Sequence, residues 1–147
     1  MGTRSLTHIY DAPVTPKTKP KPILTFYRQY DGYPSGHGAL ISKVFKGRTL
    51  TNGYGDALKQ VNGMNNAAAM LIGSYYTGAH DETQPMACGN LYIQKPGAKD
   101  YGEEYTYHLH PNAKGDGFHL RVIDYKNRPI FEGPLDEFDP LIQEEDE

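Results

Sequence analysis

The chain has 147 residues, enough for one hydrophobic core but not for two. Its formal charge of −3 argues against whole-surface attraction to nucleic acid, and its single cysteine, Cys88, excludes an internal disulfide. No apolar run approaches the length that spans a bilayer and the N-terminus shows no signal-peptide core, so the expected setting is the cytoplasm.

Ser5–Tyr10 alternates polar and apolar residues, predicting a half-buried strand with Leu6 toward the core. Thr15–Pro22 (Thr-Pro-Lys-Thr-Lys-Pro-Lys-Pro) is basic and cannot join a central ladder; it reads as an exposed hairpin loop or linker, solvated by its lysines, with a phosphate- or partner-binding arm as the alternative. Ile23–Tyr30, rich in β-branched and aromatic residues, predicts the second arm of an antiparallel hairpin. His37–Lys46 sets Leu40, Ile41, Val44 and Phe45 on one helical face, with Ser35 as N-cap and Gly47 as the stop. A short helical piece is expected near Asp56–Val61. A second helix follows over Ala67–Tyr76, capped by Asn66, closed by Gly78 and apolar enough to be buried against a sheet.

Asn90–Gln94, Glu104–His110, Phe118–Tyr125 and Pro129–Glu132 are short, alternating, and separated by Gly, Pro or Asn, which predicts strands. Leu135–Phe138 is expected to add an edge segment. The fold class predicted is α+β: an antiparallel sheet of about five to six strands with two main helices packed on one face, in the order β-β-α-α-β-β-β-β. Residues 1–140 make one domain and 141–147 an acidic tail. Lys and Arg outnumber Asp and Glu eight to two in the first fifty residues and are outnumbered sixteen to seven thereafter. That pattern fits a basic arm and an acidic end.

The densest polar stretch is Tyr27–Gly38, which sets Arg28, Asp31 and His37 among tyrosines on a glycine-rich backbone. The Arg28 guanidinium offers a planar fork of donors to phosphate or carboxylate, and Asp31 can pair with it or orient His37. Helix N-terminal amides after Ser35 add partial positive charge. The glycine pattern, Gly-x-x-x-Gly-x-Gly, matches neither the phosphate-loop motif nor the dinucleotide fingerprint. Against a small-anion site stands a structural reading, in which an Arg–Asp pair braces a turn and His37 is satisfied near a helix start.

Two stretches, Gly2-Thr3-Arg4-Ser5-Leu6-Thr7 and Arg28-Gln29-Tyr30-Asp31-Gly32-Tyr33-Pro34-Ser35-Gly36-His37-Gly38, resemble a family of short bacterial and phage proteins without an established activity. The similarity covers mainly the first 45 residues or so. In that family an aromatic, more often Phe, stands where Tyr30 does, and the lysine-proline stretch is particular to this chain. The resemblance implies a phage or bacterial cytosolic setting and places Arg4 beside Arg28 and Asp31. It carries over no catalytic role.

His108 and His110 share one strand face. A register setting Leu109 opposite Phe118 brings His119 opposite His108, three imidazoles that can hold Zn²⁺ or be merely solvated. Cys88 is read as a small buried thiol rather than a nucleophile. The function expected is a non-enzymatic binding protein that engages a phosphate-bearing small molecule or a host protein through Arg4, Arg28, Asp31, Tyr33 and His37. If the chain is phage-borne, inhibition of a host-defence component is the associated role. No cofactor, membrane contact or direct nucleic-acid binding is expected. The alternatives are a hydrolase or phosphodiesterase with His37 as general acid/base and Asp31 as its orienter, and a structural or assembly protein.

Overall fold

The hairpin expected from the first thirty residues forms as Ser5–Ile9 (β1) and Leu24–Arg28 (β2), antiparallel, with Thr7 opposite Phe26. The computed structural model describes residues 3–17, 19–53, 59–76 and 91–141. Pro34–Gly38 is a single π-helical turn that runs straight into α1, Ala39–Phe45. Tyr33, not Ser35, occupies the N-cap position, and Pro34 opens the turn where a missing N–H costs nothing. Gly47, at φ 80°, ends the helix as its sequence position predicts.

Thr49–Thr51 (β3) and Gln60–Asn62 (β4) form a small parallel pair, with Leu50 opposite Val61 and both buried. Val61 is therefore in a strand, where a helical piece was expected; residues 54–58 lie outside the described residues. Helix α2 spans Gly63–Tyr76, starting earlier than Ala67, and Asn66 Oδ1 reaches back 3.0 Å to the Asn62 N–H. Asn66 thus satisfies an orphan donor of the first turn from inside the helix instead of capping it. Gly78, Cys88 and the end of the acidic tail also lie outside the described residues.

The later strands are Leu91–Gln94 (β5), Tyr105–Pro111 (β6), Phe118–Asp124 (β7) and Pro129–Pro134 (β8). Leu135–Glu137 is a 3₁₀ turn, not an edge strand, and it drops Leu135 and Phe138 into the core. One sheet takes six strands in the order β5-β2-β1-β6-β7-β8. The class is α+β as predicted, but the sheet is mixed: β1 and β6 are parallel and every other pair is antiparallel. Parallel pairing there follows from the path of the chain. From β5, at one edge, it must pass β2 and β1 before entering β6, so it cannot close a hairpin.

One face of the sheet carries Ile9, Phe26, Tyr107, Leu109, Leu120 and Val122, packed with Ile41 and Phe45 of α1 and Ala67, Leu71 and Tyr75 of α2. Burial of this face and the helices against it is the main stabilising term. The other face is read from the next residue along each strand. Its central row is Gln94, Thr25, His8, His108, Arg121 and Glu132, directly paired from β5 to β8. Two connections border this open face: the Lys/Pro loop after β1, and the β5–β6 crossover, whose Gly97 N–H donates to Thr25 Oγ1 at 2.9 Å. Among the described residues no helix is long and apolar enough to cross a membrane.

Candidate functional site

The Arg28–His37 stretch folds into the helix-covered side of the sheet. His37 has 0% of its surface exposed, and Nε2 lies 2.6 Å from Thr7 Oγ1. Its Nδ1 meets the Tyr75 hydroxyl, and Arg28 Nη1 is 3.4 Å away. A guanidinium can only donate, so Nδ1 carries the lone pair and the proton sits on Nε2, donating to Thr7. Arg28 Nη1 also donates to the Tyr75 hydroxyl at 2.7 Å, with the guanidinium 4.8 Å from the Tyr75 ring centre. Burial, then the neighbouring Arg28 charge, hold the His37 imidazole well below its ordinary pKa, so it is neutral. Both ring nitrogens are engaged inside the protein. An acid/base role for His37, with Asp31 orienting it, has no geometric support: Asp31 contacts Arg28, loosely at 3.9 Å, and accepts from the Tyr33 hydroxyl at 3.2 Å.

The amides expected to receive an anion are also taken. The Gly36 N–H donates to the Tyr33 carbonyl, and the His37 N–H is shared between the Asp31 and Tyr33 carbonyls. The motif's glycines answer to space rather than to a ligand. A Cβ on Gly32 would sit 2.6 Å from Ser5 Cβ and 2.9 Å from its backbone nitrogen, and one on Gly38 would meet the Phe138 ring at 3.0 Å. Two bonds fix Gly32 there: its N–H to the Thr3 carbonyl at 2.9 Å, and the Tyr107 hydroxyl to its own carbonyl at 2.7 Å. The two N-terminal motifs are therefore brought together, as expected. Gly32→Ala is expected to lower stability by about 2–3 kcal/mol, because the backbone of β1 must move, and urea unfolding measures it.

Arg4 does not join Arg28. Ser5 is the residue paired with Arg28, so Arg4 points to the opposite face, where its guanidinium lies against Gly102. Tyr33 and Asp31 remain at the rim, and Asp31, with φ 58° and a side chain 59% exposed, is the network's one outlet toward solvent among these residues.

The open face holds a second constellation. The β6–β7 register is two residues away from the one expected: Leu109 pairs with Leu120, which sets His110 opposite His119 and His108 opposite Arg121. The three histidines share a face, but among the described residues no three His, Cys, Asp or Glu side chains are grouped to hold a metal ion. What forms instead is an aromatic ridge. The Tyr10 hydroxyl bonds His108 Nδ1 at 2.7 Å, the Tyr10 ring stacks on His110 with centres 3.8 Å apart, and His8 stacks on His108 at 5.1 Å. His110 Nδ1 donates to the Ala12 carbonyl at 3.1 Å, tying the Lys/Pro loop to the ridge. Burial, then the charges of His8, Arg121 and His110, push the His108 imidazole down to about 3. His8 and His110 are also lowered, chiefly by burial, and burial raises the Tyr10 phenol to about 12. At neutral pH the ridge is therefore uncharged.

A cleft of about 580 Å³ lies between the ridge and the loop, lined by Lys17, Lys19, Pro20, His110, Arg121 and Glu132, among others. A second, of about 470 Å³, shares the Tyr10–His108 wall and opens toward Lys99, Glu103, Thr106, Tyr125 and Asn127. Both fall within the size range of small-molecule sites. Lys17 and Lys19 lie in the basic stretch for which a phosphate- or partner-binding arm is the alternative to a solvated loop, whereas His8, Tyr10 and Arg121 are not marked as site residues by the sequence; their signal lies in His8-x-Tyr10 and His108-x-His110, two strand segments whose rings must share a face. No family model, curated protein or solved structure matches the chain.

Proposed function

We propose that this chain is a small non-enzymatic binding protein that captures a phosphate-bearing small molecule on the open face of its sheet, rather than at the Arg28–His37 loop. The observation that supports this best is the first cleft, whose lining sets Lys17, Lys19 and Arg121 against the single carboxylate of Glu132. Arg121 Nε makes no hydrogen bond among the described residues, and the nearest Glu132 oxygen is 3.6 Å from it. A guanidinium and two lysines lining one open cleft supply the donors and positive charge that an anion with several oxygens requires. The Arg28–His37 network then serves as the brace that joins β1, the π-helical turn and α2. If the chain is phage-borne, one of the settings that the resemblance of its two N-terminal motifs implies, the associated role is sequestration, withholding a ligand from a host-defence component.

Calorimetric titration with tripolyphosphate at low ionic strength tests the reading. Lys17 and Lys19 are exposed, so Lys17→Glu with Lys19→Glu leaves the fold intact. The double variant is expected to weaken binding at least about tenfold, since two attractive charges become repulsive. Binding equal to that of the unaltered protein, or no binding of tripolyphosphate to either, overturns the proposal.

A further inference from the structure

The two clefts differ in charge as well as in shape. The first gathers three cations against one carboxylate; the second holds Lys99 against Glu103 and Asp124. Asp124 is already committed, bonded to Arg128 at 2.7 Å with its side chain fully covered. Glu103 accepts from the Tyr101 N–H at 2.7 Å and brings its carboxylate to the second cleft's wall. Phosphate oxygens are favoured in the first cleft and disfavoured in the second, where N–H donors would be welcome. Between them stand Tyr10 and His108 of the ridge, joined by a 2.7 Å hydrogen bond and neutral at physiological pH. His8 and Tyr10 are almost wholly covered, so the aromatic surface open to the second cleft is the half-buried His108 and the exposed Tyr125, with Pro22 beside them and the Lys126 ammonium 5.6 Å from the Tyr125 ring centre. Such rings take up planar heterocycles by stacking.

Resting on the phosphate-binding reading above, we infer that the ligand is a nucleotide: its phosphates lie among Lys17, Lys19 and Arg121, and its base lies across the ridge in the second cleft, between His108 and Tyr125. The ridge thereby becomes the divider that sets the ligand's polarity. Phosphates alone occupy one half of the site, and a nucleoside alone the other.

The full chain is titrated by calorimetry with tripolyphosphate, with a panel of ribonucleoside triphosphates, and with a hexanucleotide. At least one triphosphate is expected to bind about tenfold or more tightly than tripolyphosphate, the scale of one stacked base. Tyr125→Ser alters an exposed side chain of the second cleft, and is expected to bring the preferred triphosphate down toward tripolyphosphate while leaving tripolyphosphate itself unchanged. Equal binding of all triphosphates and tripolyphosphate, or a preference that survives Tyr125→Ser, overturns the nucleotide assignment and leaves the phosphate-binding reading standing. Binding that ignores the Lys17→Glu, Lys19→Glu pair overturns both. A hexanucleotide bound far more tightly than any mononucleotide replaces the small-molecule ligand with single-stranded nucleic acid and so also overturns the assignment.

Discussion

Lowering the pH from 7 to 5 is expected to reduce folding stability by at least about 2 kcal/mol, the contribution of His108 alone. In the unfolded chain this imidazole titrates near its ordinary value of 6.5, whereas in the fold it is held at about 3. Between those values the unfolded state binds a proton that the folded state refuses, so stability falls as the pH falls. Each pH unit in that window costs about 1.4 kcal/mol. His37, held well below 6.5, and His8 and His110, also lowered, act in the same direction. Four histidines pulling together make the acid side of the profile steep. For a chain of this size the midpoint of thermal unfolding should drop by at least roughly 5 °C. Thermal melts followed by circular dichroism at half-unit pH steps provide the measurement. His108→Gln should flatten the profile by up to one proton, because the side chain that refuses protonation is gone. A melting temperature unchanged between pH 7 and 5 means that these imidazoles are solvated, and it removes the neutral ridge on which the ligand site depends.

The sequence shows the fold's local elements more clearly than its long-range pairings. β-Branched and aromatic residues in 23–30, and the four apolar residues Leu40, Ile41, Val44 and Phe45, mark elements because their signal is confined to one strand or one turn. Register is different. Keeping Leu109 and Leu120 on the core face fixes only the parity of the β6–β7 pairing, so a two-residue slip leaves every side chain on its proper face and changes only its partner. That slip is why His119 was expected opposite His108, where Arg121 stands. Arg4 was misplaced by the alternation of a strand: a motif contiguous in sequence is divided between two faces, with Ser5 and Thr7 on one and Arg4 on the other. Tyr75 had no signal at all. It is a buried tyrosine near the end of an apolar helix, and its role depends on α2 laying its hydroxyl beside residues 38 and 47 positions away. The open-face cleft was half legible: the Lys/Pro stretch was expected to be an exposed loop, but nothing in it says that Ala12 will be tied to His110.

His37→Ala is expected to lower stability by about 4 kcal/mol without weakening ligand binding at the open face. The imidazole is wholly enclosed, edge-on to Phe26 at 5.7 Å and to Tyr107 at 4.8 Å, so truncation leaves a cavity that packed aromatic rings cannot readily fill. It also leaves the Thr7 hydroxyl, the Tyr75 hydroxyl and Arg28 Nη1 short of a partner each, in surroundings with little access to water. The larger consequence concerns Arg28. Its Nε already lacks a hydrogen bond among the described residues, and its contact with Asp31 is a loose 3.9 Å, so His37 and Tyr75 are what make its burial tolerable. Losing one of them exposes the fold to the penalty of a poorly compensated buried cation. His37→Gln, which keeps an acceptor and a donor on a side chain of similar reach, should recover part of the loss. The cleft with Lys17 and Lys19 lies across the sheet from His37, since Thr7 and His8 point to opposite sides of β1, so the affinity measured below the variant's melting range should stay within about twofold. Urea midpoints and calorimetric titration of the same preparations separate the two readouts. A His37→Ala protein as stable as the unaltered chain, yet unable to bind or turn over its ligand, returns the functional site to the Arg28–His37 loop.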